Sequence, residues 1–324
     1  MAWASIQDQN IQNPNAGNGG DLVKHTVYLS TIGYLLSEEP WKQDLRIREC
    51  HAGRGIYRLG QWHQWRNALS ALFHHQRGEG PVLLRDIQQA VLESIGAWPP
   101  GPDQLQWYAG SALLNAWVLA QSQAGNRALD LYEYEPDTRT ALRSVLGAAG
   151  VTGRVHLNVL PAVEDGTQFD GEQYIEVTVS SLGKNDLVLL DPFARWRKPE
   201  HQHARNVYAS IIERLLGKAE DSPSLLIFWT WGSASVQANE DLCNSGRAVK
   251  NGYQELLGIV KKAGFQIVLV KWHWGYVFAM WIIVPTDHVR RLRDHVHDNC
   301  VVLSDHLRRN GQRWQHPVVD VEVV

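Results

Sequence analysis

Apolar positions first recur at helical spacing along Leu22–Leu36, where Val23, Val27, Ile32, Leu35 and Leu36 share one face. Before them, residues 1–20 are polar and rich in Asn, Gln and Gly, which predicts an irregular arm. Asp44–Cys50 reads as a short strand running directly into His51-Ala-Gly-Arg-Gly55. From Gln61 to about Trp98 the pattern is helical again, carried by Trp62, Trp65, Leu69, Leu72 and Phe73 and then by Val82–Ile95. Prolines 99, 100 and 102 punctuate its end, so residues 61–106 read as a helical insertion.

Strand and helix patterns then alternate. Helices are predicted over Ser111–Ser122, Asp137–Ala149, Ala204–Lys218 and Val249–Ala263, and strands over Ala128–Tyr134, Val155–Leu160, Asp186–Leu190 and Ser224–Trp229. Two strands follow in close succession, Gln266–Trp272 and Tyr276–Val284, joined by a turn at Gly275. A terminal helix runs over roughly Asp287–Arg309. The alternation predicts an α/β fold with a Rossmann-like, mostly parallel sheet. Its late hairpin inserts one antiparallel strand, the usual ending of a class I methyltransferase sheet, where a dinucleotide dehydrogenase more often ends on a further βα unit. Residues 1–60 and 107–324 would form this domain, with 61–106 as the inserted subdomain.

Composition narrows the class. Hydrophobic residues make up 44% and charged residues 20% of the chain, ordinary values for a globular protein. Its apolar runs are too short to span a bilayer, and the start MAWASIQDQN shows no leader pattern, which predicts a cytoplasmic protein. Cys50, Cys243 and Cys300 form no CxxC pair, and the histidines form no ligand-spaced motif, so neither a disulfide framework nor a metal site is expected. A net charge of −3 carries no basic excess of the kind that marks dedicated nucleic-acid binders. The basic clusters at Arg195–Lys198 and at Arg290, Arg291 and Arg293 also serve as solvated faces.

Chemistry concentrates at the predicted carboxyl ends of strands. Gly53 and Gly55 let the backbone turn sharply and approach a ligand, although a bare GxG also serves as a structural turn. Glu133, at the end of the next sheet strand, is placed to accept both ribose hydroxyls of an adenosine cofactor. It follows Gly53 by 80 positions, against about 20 in the simple fingerprint, because the insertion intervenes. Asp191-Pro192-Phe193-Ala194 leaves the most hydrophobic strand at the same edge. Trp196, Trp229, Trp231, Trp272 and Trp274 lie near strand ends, where they either wall an aromatic pocket or pack in core and rim.

Taken together in order, AGNGGDLVKHT at 16–26, HAGRG at 51–55, WYAGSALL at 107–114, LYEYEP at 131–136, LVLLDP at 187–192 and the late strand YVFAMWIIVP carry a likeness. The chain resembles the bacterial 23S ribosomal RNA adenine-N6 methyltransferases, over most of its length and including the insertion. The resemblance implies S-adenosylmethionine as cofactor, held by Lys24, His25, His51, Gly53, Gly55, Ser111, Glu133 and Asp191. It further implies that Asn158, or Asp165 after a short shift, reads the cofactor's adenine. Asp191 and the Pro192 carbonyl would accept hydrogen bonds from the target amine, and Phe193 would stack on the base.

The sequence departs from that family where the acceptor should sit. The family's Asp-Pro-Pro-Tyr is Asp191-Pro192-Phe193-Ala194 here, so the aromatic would act from one residue earlier. Asn10, Gln12, Asn13, Pro14 and Asn15 stand where the family carries Tyr and His. Three readings therefore remain open: methylation of an adenine in ribosomal RNA, methylation of another nucleobase or a small amine-bearing molecule, and a non-catalytic relative that binds cofactor or partner.

Overall fold

The computed structural model describes residues 19–50, 52–59, 63–74, 80–99, 101, 104–122, 125–133, 135–161, 182–183, 185–190, 213, 215–217, 225–232, 257–273, 277–310 and 318–324. Residues 1–18 of the predicted N-terminal arm, most of the helices expected at 204–218 and 249–263, and the turn at Gly275 lie outside these residues.

Eight strands form one sheet: β1 (Asp44–Glu49), β4 (Asn126–Glu133), β5 (His156–Pro161), β6 (Asp186–Leu190), β7 (Leu225–Gly232), β8 (Phe265–His273), β9 (Val277–Pro285) and β10 (Val318–Val323). Their spatial order is β10-β8-β9-β7-β6-β1-β4-β5. The run from β5 through β4, β1 and β6 to β7 is parallel, whereas β9 lies antiparallel between β7 and β8. The chain moves outward from β1 to β4 and β5, then returns to the other side of β1 with β6. The strand order therefore reverses beside β1, where open α/β sheets bind ligands at the carboxyl ends of their strands.

Alternation of side chains across the pleat distributes the core. Leu187 and Leu189 of β6 face one apolar cluster and Val188 and Leu190 face a second, so this strand is buried on both faces as its unbroken hydrophobic run predicts. The first cluster holds Leu45 and Ile47 of β1 together with helices α1 (Gly19–Ser37), α4 (Ser111–Gln121), α5 (Pro136–Ala148) and α6 (Val289–Asn310). Helix α6 supplies Val289, Leu292, Val296, Cys300, Leu303 and Leu307, three or four positions apart, which is one helical stripe. Helix α1 is buried almost all round. The hydroxyls of Thr26, Ser30 and Thr31 donate to the carbonyls of Leu22, Thr26 and Val27 at 2.7–2.8 Å, so they enter the core already satisfied.

On the other face a polar ladder crosses four adjacent strands. Asn158 of β5 donates to Asp130 of β4 at 2.8 Å, Asp130 lies 3.6 Å from the Arg48 guanidinium of β1, and Arg48 Nε donates to Asp186 of β6 at 2.5 Å. Arg48 and Asp130 are register partners, as are Asp130 and Asn158. Burial opposes the Arg48 charge, yet Asp186, with Tyr132 and Asp130 behind it, outweighs that and raises its pKa further.

Four elements differ from expectation. Helix α1 begins at Gly19, inside the predicted arm. Strands β2 (Ile56–Arg58) and β3 (Trp107–Ala109) form an antiparallel ribbon that three-residue patterns do not reveal. Strand β10, which follows the predicted terminal helix, pairs antiparallel with β8. Between β2 and β3 run α2 (His63–Phe73) and α3 (Leu83–Ser94), whose Leu69, Leu72, Leu84, Val91 and Leu92 join the same apolar cluster as α1.

Replacing Arg48 by Met would leave two buried carboxylates facing each other. Chemical denaturation should report a loss of about 3–5 kcal/mol, and an unchanged midpoint would show that the ladder bears no such load.

Candidate functional site

The chain leaving β1 is tied to both neighbouring strands. Cys50 N–H donates to the Leu189 carbonyl at 3.0 Å and Ala52 N–H to the Tyr132 carbonyl at 3.1 Å. The backbone then enters the left-handed region at Gly53 (φ 61°) and Gly55 (φ 76°), which side-chain-bearing residues adopt only under strain. This turn aims the Gly53 N–H at Glu133 Oε2, 2.9 Å away, while Glu135 N–H donates to Oε1 at 3.0 Å. Arg139 donates to the Glu133 carbonyl at 2.8 Å and fixes the same corner from α5. The loop and the acid, far apart in sequence, are thus one structure.

The glycines also answer to the chain itself. A Cβ on Gly53 would lie 2.1 Å from the Tyr57 hydroxyl, and one on Gly55 would lie 2.7 Å from Leu142 Cδ1 of α5. Gly110 N–H donates to the Gly55 carbonyl at 2.8 Å, so the chain enters and leaves the β2–β3 ribbon side by side and α4 starts beside the loop. The insertion is in this way spliced between the glycine turn and the crossover helix. Where the chain re-enters, Gln88 of α3 clamps Ala109, donating to its carbonyl at 2.7 Å and accepting from its N–H at 3.0 Å.

Beneath the first turn of α4, Glu49 is buried at the end of β1 and accepts from the Ser111 hydroxyl and from Asn115 Nδ2. On α1, Lys24 pairs with Asp21 at 3.1 Å. The neighbouring His25 is buried, with Nδ1 2.7 Å from the Tyr108 hydroxyl and the rings stacked at 5.5 Å. Burial raises the Tyr108 phenol well above its ordinary value, so it stays protonated. Burial likewise pushes Tyr57 up to about 12, offset in part by the Arg54 N–H bond and the Lys24 charge and reinforced by Asp21 and Glu49. Tyr57 therefore sits within the field of three charged groups that converge from α1 and β1.

Of the residues expected at the site, Gly53, Gly55 and Glu133 come together at the carboxyl edge beside the strand-order reversal. Ser111 lies beneath them on Glu49. Lys24 acts electrostatically on Tyr57, whose hydroxyl covers Gly53. Asn158 is the third residue of β5, with its amide nitrogen committed to Asp130. His51, Asp165, Asp191, Pro192 and Phe193 lie outside the described residues. Leu190, immediately before Asp191, is the buried last residue of β6. Of the tryptophans, Trp272 is buried in the first core cluster, and Trp196 and Trp274 lie outside the described residues. Sequence reasoning missed Glu49, Tyr57, Tyr108 and Asn115. The available signal for Glu49 was an acid closing the first strand directly before a glycine turn.

Among the described residues no helix is long and apolar enough to cross a membrane, and no three metal-ligating side chains cluster.

No family model matches the chain, and no curated protein matches it by sequence. By structure it is similar to protein LPL1258 from Legionella pneumophila, which carries the family-model label DUF519. The two share 16% identity over 95% of this chain and 98% of the other, with a TM-score of 0.61. That likeness shows a common α/β fold along nearly the whole length. Cofactor-bound Rv0187 from MTB aligns with 12% identity over 87% of each chain at a TM-score of 0.40, too loose a superposition to bear on the site.

Gly53→Ala should cost about 1–2 kcal/mol from its left-handed backbone alone, plus the clash with Tyr57. Combining it with Tyr57→Phe should recover only the steric part, read as midpoints of chemical denaturation. The raised Tyr57 pKa stabilises the fold fully below its ordinary 10.0, and that contribution is lost as pH rises toward 12. Alkaline difference spectra should therefore lose one tyrosine titrating near 12 in Tyr57→Phe, and loss of one near 10 would contradict the assignment.

Proposed function

We propose that this chain is an S-adenosylmethionine-dependent methyltransferase that methylates the exocyclic amine of an adenine in ribosomal RNA. The observation that carries the reading is the Gly53–Glu133 contact at the carboxyl edge of the sheet, where the strand order reverses. The position of β9, antiparallel between β7 and β8, supports the class I methyltransferase form of that sheet. The acid also fits an adenosine ribose. A carboxylate offers about four lone-pair sites, and the N–H groups of Gly53 and Glu135 take one on each oxygen, leaving acceptors for two hydroxyls.

When bound, the cofactor supplies a methyl group on an electrophilic sulfonium. The remaining work falls to the protein. Lys24, His25, His51, Gly53, Gly55 and Ser111 would hold the cofactor's amino-acid end and its link to the ribose, Glu133 the ribose, and Asn158 or Asp165 the adenine. Asp191 and the Pro192 carbonyl would accept hydrogen bonds from the target amine and keep its lone pair outward, with Phe193 stacked on the base. No strong base is required, because positioning and desolvation drive the transfer. A second acceptor class, a small amine-bearing molecule, is favoured by Ala194 in place of the family's stacking tyrosine and by the net charge of −3.

Calorimetric titration should give micromolar binding of S-adenosylmethionine and S-adenosylhomocysteine, weakened by about 1–3 kcal/mol in Glu133→Ala. Absence of binding would sink the reading. With radiolabelled methyl donor and unmodified ribosomal RNA, Phe193→Ala should cost the acceptor about 1–3 kcal/mol of base stacking while cofactor binding is retained. Label on small amines but not on RNA would move the chain to the second acceptor class.

A further inference from the structure

Three buried polar side chains from three elements meet in a line: Gln88 of α3, Tyr108 of β3 and His25 of α1. At one end the Gln88 amide is fixed by the backbone of Ala109. Its Oε1 accepts from the Ala109 N–H at 3.0 Å and its Nε2 donates to the Ala109 carbonyl at 2.7 Å, so a flipped amide would set like against like at both contacts. At the other end the Tyr108 hydroxyl lies 2.7 Å from His25 Nδ1, with the two rings 13° from parallel.

The number of protons then decides each direction along the line. Burial holds the Tyr108 phenol well above its ordinary value and Asp21 adds to that, while the Lys24 charge and a hydrogen bond with the Gln88 side chain pull it partly back. A bond that favours the phenolate is one that the amide donates, which uses the second Nε2 proton of Gln88. The Tyr108 oxygen is thus an acceptor toward Gln88, and its single proton needs an acceptor of its own. Among the described residues that acceptor is His25 Nδ1. Were Nδ1 to carry a proton, the hydroxyl would receive two donors and its own proton would be orphaned in a buried site, which folded proteins avoid.

We propose that Gln88 and Tyr108 are positioning residues that set the tautomer of His25, with Nδ1 as acceptor and the ring proton on Nε2. The inserted subdomain in this way acts on the site by its chemistry as well as by its packing, since Gln88, through Tyr108, makes His25 a donor at its far nitrogen. A ligand that meets that nitrogen must then offer a lone pair, as a carboxylate or carbonyl oxygen does, and one that offers only an N–H is disfavoured. Only the naming of such a ligand rests on the methyltransferase reading above; the tautomer does not.

Long-range proton–nitrogen correlation spectra of the full chain carrying nitrogen-labelled histidine, recorded at mildly alkaline pH, test this. His25→Gln identifies the His25 signals by their loss. The wild type should show the pattern of an Nε2–H imidazole at His25, and the Nδ1–H pattern there overturns the proposal. Tyr108→Phe removes the proton that holds Nδ1 as an acceptor and should let both tautomers appear. Gln88→Glu turns the amide donor into an acceptor, takes the Tyr108 proton and should shift His25 to Nδ1–H. A role confined to packing would lower the denaturation midpoint of these variants while leaving the tautomer as in the wild type, and that result overturns the assignment of Gln88 and Tyr108. Should Gln88→Glu fail to fold, Tyr108→Phe carries the same decision. The readout needs no ligand, so absence of S-adenosylhomocysteine binding would remove the methyltransferase reading without touching this one.

Discussion

The ladder Asn158–Asp130–Arg48–Asp186 is the constraint on which the rest of the sheet depends. Parallel strands rich in Val and Leu have little in their side chains to distinguish one register from another. A slip of one residue turns every side chain to the opposite face. In β1, β4 and β6 such a slip would pull a charged group out of its pair and press it into an aliphatic layer. Desolvation makes a buried ion cluster a weak source of net stability, but losing one member is costly, so the cluster acts on register more than on total stability.

That register sets the site. With Glu49 opposite Leu131 and Leu189, and Glu133 two residues beyond Leu131, the ends of β1, β4 and β6 meet at one edge. The loop leaving β1 can then place a backbone N–H on the Glu133 carboxylate without side-chain help. The insertion braces the same edge through another route, since Gln88 holds Ala109 and the adjacent Tyr108 holds His25 of α1. Helix α3 of the insertion thus helps fix His25 of α1.

Much of this was legible because local pattern and tertiary role agreed. The apolar run at Leu187–Leu190 is buried on both faces, the glycines at 53 and 55 have positive φ, and the late hairpin forms. Where the two disagree, the sequence misleads. DLRIRE alternates like a strand with one wet face, yet Arg48 is 1% exposed because its partners lie on other strands. Glu49 looks like the solvated end of that strand for the same reason. Strands β2 and β3 are too short to show a period, and each exists only because the other is present. Thr26, Ser30 and Thr31 suggest a half-exposed helix until their bonds back to the helix carbonyls are counted.

The β2–β3 ribbon gives the fold a modular joint. Because the Gly55 carbonyl and the Gly110 N–H lie 2.8 Å apart, the chain departs and returns at nearly one point. Growth or exchange of what hangs from that point need not shift either neighbour of the joint. A lineage built on this scaffold is therefore free to remodel residues beyond Arg58 and before Trp107, provided something still covers the apolar flank of α1 and takes over the Gln88 clamp on Ala109. Diversity in that segment among relatives would be inherited at little expense to the glycine turn and the helix that follows it.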